Sequence, residues 1–389
     1  MSALLFRQSK SKPIAIVDIQ TGSVSMAIVL PQKGAQIRVL AHEKTDLSFE
    51  DRTAEATAAA LAGQIDEVGK KIIASYAEIQ KKYGSVTQTY VVINTPLMHS
   101  ETTRIVSSFE KETLITQGMI AEMAKKAFEE GKDTTPSDVL EASIIRVELN
   151  GYVTAHPEGK HALKISVYAI VSRCDPSIRV IVQESLQKIF AVPIVFRSQL
   201  RTILSVVGAT ASFPSNYCVI DITRESTTIA NIHTGLSVGN ATINEGLLSI
   251  TKRIAGNGMI EETLGLLHMV TDDTCTSSVC TTIHDAVTKA EPDLVRVFAT
   301  EMVSLVSSRY LPTTLILLCD DVLTPWFTEL FSRIDFTQFT TTTQPFEVRA
   351  FDMSSLGSFL EPVSGTPLPM RLALAAALVH IESQDNLHA

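Results

Sequence analysis

The chain has 389 residues, 45% of them hydrophobic and 19% charged, which is a globular composition with room for two or three domains. A net charge of −9 excludes the basic footprint of a nucleic-acid binder. The five cysteines, Cys174, Cys218, Cys275, Cys280 and Cys319, form neither a C-x-x-C pair nor a zinc-spaced set. They read as reduced thiols, in keeping with a cytoplasmic chain.

The first twelve residues carry Leu4, Leu5 and Phe6, followed by Arg7, Lys10 and Lys12. Their apolar part is too short for a secretory signal. They read as a disordered terminus or as a weak membrane-surface anchor. No apolar run approaches the roughly 18 residues that a membrane-spanning helix requires.

From Ile14 a buried strand runs to Asp18, turns through small polar residues and returns over residues 24–30, with a third strand near residues 36–41. Residues 53–82 have helical periodicity through Leu61, Ile65, Val68, Ile72 and Tyr76. Strands at residues 88–93 and 102–109, a helix at 116–130, and two strands flanking Asn150-Gly151 follow. A helix over residues 175–191 opens with Asp175-Pro176. The second half then repeats the opening plan. A buried strand at residues 217–222 ends near Asp221 and returns over 228–233, and another strand covers 236–243. Helices at about 247–265 and 280–309, a buried strand at 315–319, and helices at 323–334 and 368–382 complete the chain.

The repeated hairpin carries the chemistry. Its first copy is Asp18-Ile19-Gln20-Thr21-Gly22-Ser23 and its second is Asp221-Ile222-Thr223-Arg224-Glu225-Ser226-Thr227. Two such hairpins facing each other could bind a nucleotide's phosphates through backbone N–H groups and hydroxyls. Their two carboxylates would hold a hydrated Mg²⁺. The candidate binding residues are Asp18, Thr21, Gly22, Ser23, Asp221, Ser226, Thr227 and Gly246, with Asp18 and Asp221 as the metal pair.

These residues resemble the two phosphate loops of the actin-like ATPase superfamily, and specifically of its FtsA/PilM members. The segment Asn244-Glu245-Gly246 through Ile250-Thr251-Lys252-Arg253-Ile254-Ala255 is similar to the stretch that follows the second loop in that family. The resemblance implies an α/β, two-lobed actin-like fold of duplicated ribonuclease-H-like halves, with an inserted small α+β subdomain of the SHS2 type. The implied layout puts the first lobe at residues 13–85 and 166–195 and the insert at 86–165. It puts the second lobe at 196–250 and 310–382 and a helical subdomain at 251–309, with tails at 1–12 and 383–389.

The departures matter as much. Gln20 and Thr223 stand where the family's loops have Gly, and Gly is what allows a backbone close to a phosphate. Cys319-Asp320-Asp321 replaces a Gly-rich adenosine turn and reads equally as a solvated strand end. Gln199 is a candidate water-orienting residue or simply a helix start. His99, His156 and His161 lack metal spacing, and Glu261 and Glu262 read as a solvated helix face. The implied role is an actin-like scaffold, cytoplasmic and at the inner face of a membrane, in cell division or at a type IV pilus base. ATP and Mg²⁺ binding would be weak and hydrolysis slow or lost. Its partners would be copies of itself, proteins of that assembly, and a membrane surface touched through Leu4, Leu5, Phe6, Arg7, Lys10 and Lys12. The alternatives are an active ATPase or sugar-kinase-like enzyme on the same fold, and a nucleotide-free protein that only binds partners.

Overall fold

The computed structural model describes residues 11–46, 54–129, 138–271, 278–306, 310–319, 323–333, 339–340, 346–363 and 365–386. Ile14–Ile19 (β1) pairs antiparallel with Ser23–Gln32 (β2), which pairs with Ala35–Asp46 (β3). A parallel neighbour needs a crossover. The helix Ala54–Tyr83 (α1) supplies one and returns the chain as Thr89–Ile93 (β4), parallel to β1. The fifth strand, Ile194–Ser198 (β9), lies parallel to β4, so the order is β3-β2-β1-β4-β9.

Between β4 and β9 stands a separate sheet. It comprises Met98–Leu114 (β5), Val139–Leu149 (β6), Tyr152–Val153 (β7) and His161–Cys174 (β8), in the order β5-β8-β6-β7, with Gln117–Glu129 (α2) packed on one face. The helix Pro176–Phe190 (α3) follows, its N-terminus capped by the Asp175 carboxylate, which accepts from Ser177 N–H at 2.8 Å.

The second half repeats the first. Tyr217–Ile222 (β10), Thr227–His233 (β11), Leu236–Ile243 (β12), Thr314–Leu318 (β13) and Glu347–Ala350 (β14) form a sheet of order β12-β11-β10-β13-β14. Its crossover is helical, through Leu247–Ala255 (α5), Ile260–Thr271 (α6) and Ser278–Val306 (α7), and Thr324–Arg333 (α8) joins β13 to β14. The outer face of each sheet is covered by its own helices, α1 and α3 on the first and α5 to α8 on the second. The inner faces share one core. Gln199–Ala209 (α4) and Met370–Asn386 (α9) lie in it, with Ile16 and Val29 of the first sheet and Val219 and Ile232 of the second.

Three expected boundaries are corrected. Residues 89–93 belong to the first sheet, not to the insert, because β4 bonds to β1 on one side and β9 on the other. Residues 166–174 belong to the insert, because β8 is a continuous strand at the centre of its sheet. The last helix, assigned from sequence to the second lobe, packs directly on β1 and β2. Leu4, Leu5, Phe6, Arg7, Lys10, Asp320 and Asp321 lie outside the described residues.

Close approach of the two sheets depends on small residues in α9: Ala373, Ala375, Ala376 and Ala377 are all fully buried. Ala376→Leu should therefore overpack the layer and cost about 1–3 kcal/mol in urea unfolding.

Candidate functional site

Strand alternation aims both acidic residues between the lobes. On β1, Ile16 faces the shared core and Asp18 lies two positions on, while Val17 and Ile19 pack outward. On β10, Val219 and Asp221 repeat this, with Ile220 and Ile222 outward. Asp18 sits opposite Ser25 and beside Val92, and Asp221 sits opposite Thr228 and beside Leu318. The turns close alike, Gln20 N–H donating to Ser23 O at 3.0 Å and Thr223 N–H to Ser226 O at 2.8 Å.

Both carboxylates are buried, at 0% and 1% exposure. Asp18 accepts from Gln20 Nε2 at 2.8 Å and Asn94 Nδ2 at 2.7 Å. Burial pushes its carboxyl above the ordinary range, and these bonds and the nearby Arg371 charge offset only part of that. Arg371, in the first turn of α9, donates Nη2 to Asp221 Oδ1 at 2.6 Å and to Ile222 O at 2.9 Å. Its Nη1 reaches Asn94 Oδ1 at 3.4 Å, so Asn94 links the guanidinium to Asp18. Gln199 Nε2 lies 3.4 Å from Asp221 Oδ2, and Gln199 is also the first residue of α4. Burial opposes the charge on Arg371, and Asp221 and Asp18 more than offset it, so the guanidinium is held above its ordinary value.

Outside this cluster opens a cleft of about 460 Å³, lined by Gln20, Gly22, Ser23, Thr223, Arg224, Leu247, Cys319, Leu323, Phe327 and residues 367–371. The Arg224 side chain crosses Gly22, where an added Cβ would overlap it. Thr21 is buried and its hydroxyl has no hydrogen-bond partner. The polar groups of the second turn are engaged within the protein. Ser226 Oγ is 3.1 Å from Thr223 Oγ1, and Thr227 Oγ1 donates to Glu245 O at 2.6 Å. The first amides of α5 donate to the turn itself, Leu247 N–H to Thr223 O at 2.9 Å and Leu248 N–H to Arg224 O at 2.7 Å. Those are the groups a helix N-terminus would otherwise offer an anion. Gly246 lets the turn pack this closely, since a Cβ there would overlap the Glu225 and Ser226 backbone.

These residues do not fit Mg²⁺-ATP held between two carboxylates. A guanidinium stands where the carboxylates converge, and the second loop's donors have partners in the chain. Sequence reasoning missed Arg371. Its signal was present: a lone cation heading an apolar run from Leu372 to Val379 needs a buried partner. Among the described residues no three His, Cys, Asp or Glu side chains stand close enough to hold a metal, His99, His156 and His161 included. Glu261 and Glu262 are exposed on α6.

A second feature was not legible in sequence. β9 ends its sheet, and β6 is paired with β7 only at Glu148 and Leu149, so two strand edges face each other. Between them runs a groove of about 450 Å³, walled by residues 140–143 and 194–197 and floored by Arg179, Gln183 and Gln187 of α3. Ser198 N–H donates across to Glu141 at 2.8 Å, and Arg197 is bidentate to Glu382 of α9 at 2.9 Å on both oxygens. Arg201 adds bonds to Glu382 at 3.1 and 3.2 Å. Burial pushes the Glu141 carboxyl up, and the Arg201 charge and the Ser198 bonds offset only part of that.

A solved structure of a PilM-PilN type IV pilus biogenesis complex matches 95% of this chain and 98% of its own, with a TM-score of 0.62 and 14% identity. The fold is actin-like. Two further matches are weaker. The ethanolamine utilization protein EutJ of Carboxydothermus hydrogenoformans is 13% identical at a TM-score of 0.43, covering 92% of this chain and 88% of that one. A Bacteroides thetaiotaomicron protein of actin-like ATPase fold and unknown function is 11% identical at 0.40, covering 89% and 96%. No family model and no curated protein matches the chain. Among the described residues, no helix is long and apolar enough to cross a membrane.

Removing Asp221 should strand a buried guanidinium. Asp221→Ala is expected to cost about 3–5 kcal/mol in chemical unfolding. Gln20→Ala, which removes one hydrogen bond from Asp18, should cost only about 1 kcal/mol.

Proposed function

We propose that this chain is a scaffold of the PilM/FtsA kind, which holds an extended segment of a partner protein in the groove between β6 and β9. The observation that carries this reading is the pair of facing strand edges. An added strand can satisfy open backbone donors and acceptors while its alternate side chains meet the floor and walls. Arg179 on the groove floor suits a segment with an acidic group. The likeness to a PilM-PilN complex supports a protein partner and favours the pilus base over the division machinery. Self-association, and weak contact of anionic membrane with Leu4, Leu5, Phe6, Arg7, Lys10 and Lys12, complete the reading.

The test is titration calorimetry of the purified chain with the protein that plays PilN's part in the same cell. Ala142→Glu and Gln183→Trp, both at exposed groove positions, should weaken binding at least about tenfold while leaving the melting temperature unchanged. Unchanged affinity in both variants would remove the groove from the proposal. ATP turnover should stay far below about 1 per second. Vigorous turnover lost in Asp18→Asn would instead place an enzyme here. For the membrane contact, sedimentation with anionic vesicles should drop when the chain is shortened to start at Lys12, and equal binding would count against it.

A further inference from the structure

We infer that Arg371 is the resident cation of the cleft, taking the place of a divalent ion between Asp18 and Asp221 and pinning the two lobes together without metal or nucleotide. This inference stands apart from the groove and survives if that reading fails.

The geometry is that of a cross-lobe strut. Arg371 rises from α9, which packs on β1 and β2 of the first lobe. Its bonds at 2.6 and 2.9 Å go to Asp221 and to the Ile222 carbonyl of the second lobe. Its other nitrogen reaches Asn94, which itself donates to Asp18 at 2.7 Å. One guanidinium thus engages both halves of the duplicated site, as a bridging ion would, and supplies donors where a metal would supply open coordination positions.

Placement supports the same conclusion. A helix N-terminus carries partial positive charge and disfavours a cation in its first turn. Arg371 is the second residue of α9 and lies almost wholly buried, with 11% of its side chain exposed. Such a position is tolerated only where carboxylates face it, and Asp221 and Asp18 do. A second arginine acts in the same direction, since Arg224 of the second lobe lies across Gly22 of the first. With both arginines seated, a metal entering between the carboxylates would have to displace a fixed charge of its own sign.

Removing the strut should unmask the metal site. The experiment follows thermal unfolding of the full chain in EDTA, MgCl2 and MnCl2 for wild type, Arg371→Ala, Arg371→Lys and the double variant Arg371→Ala/Asp221→Asn. Wild type and Arg371→Lys should melt within about one degree of the same temperature in all three solutions, because no ligand binds the folded state selectively. Arg371→Ala should melt several degrees lower in EDTA and recover at least about half of that loss in MnCl2. The double variant should recover nothing. Equilibrium dialysis of Mn²⁺ should show equal uptake by wild type and Asp18→Asn. The inference is overturned by Mn²⁺ stabilisation of wild type that Asp18→Asn abolishes. It is equally overturned if Arg371→Ala folds and fails to respond to metal. Should Arg371→Ala not fold, the dialysis of wild type against Asp18→Asn decides the matter alone.

Discussion

The ion pair between Arg371 and Asp221 constrains everything around it. Taking two charges out of water costs several kcal/mol per ion, and only close contact with further hydrogen bonds compensates. The protein meets that condition with the Ile222 carbonyl, Asn94 and Gln199. The groups come from three places in the fold: Asn94 from just past the end of β4, Asp221 and Ile222 from β10, and Gln199 from α4. The pair is therefore affordable only if both sheets and both inner helices are in place, which ties the cluster to the assembly of the whole molecule.

The same helix carries a second polar anchor at its far end. Glu382 lies about 16 Å along α9 from Arg371 at 1.5 Å per residue, and it is held by Arg197 and Arg201. From Leu372 to Val379 the helix between the two anchors is apolar, and all of that run but Val379 is alanine or leucine. An apolar helix in an apolar layer could slide, since dispersion and burial are non-directional. A slip of one turn, about 5.4 Å, would leave Arg371 away from Asp221 and Glu382 away from its arginines. The two anchors thus fix the depth of α9, and through it the spacing of the sheets.

Contiguous patterns made much of this fold legible in sequence. The repeated strand–Asp–turn–strand unit was visible because every part of it is local, and its two copies share register in the structure. The strand at residues 89–93 was misplaced for a nonlocal reason. A run of five buried residues, four of them apolar, looks the same in a central sheet as in an insert. The long helix before it was the better guide, since a helix between two apolar strands is the usual parallel crossover. The glycines missing at Gln20 and Thr223 set the loops apart in sequence, but what the replacing side chains do could not be read there. Gln20 supports the Asp18 carboxylate, and Thr223 knits its own turn. The groove was beyond sequence altogether, because it is made of two strand edges more than fifty residues apart that meet only after folding.

Rigidity in the cleft has a consequence for the groove. Arg197 and Glu141 form part of the groove wall and also contact the polar cluster around Glu382, on the helix whose other end is pinned by Asp221. In a protein whose lobes moved with each ligand cycle, this wall would shift as α9 shifted. Here α9 is fixed at both ends by side chains of the chain itself. A partner strand of the proposed kind would meet edges already set at their spacing, and the ordering penalty would fall on the partner alone. On the inference that Arg371 stands in for a divalent ion, a switchable closure would give way to a permanent one, and the groove walls would be a preorganised surface of the kind the proposed scaffold needs.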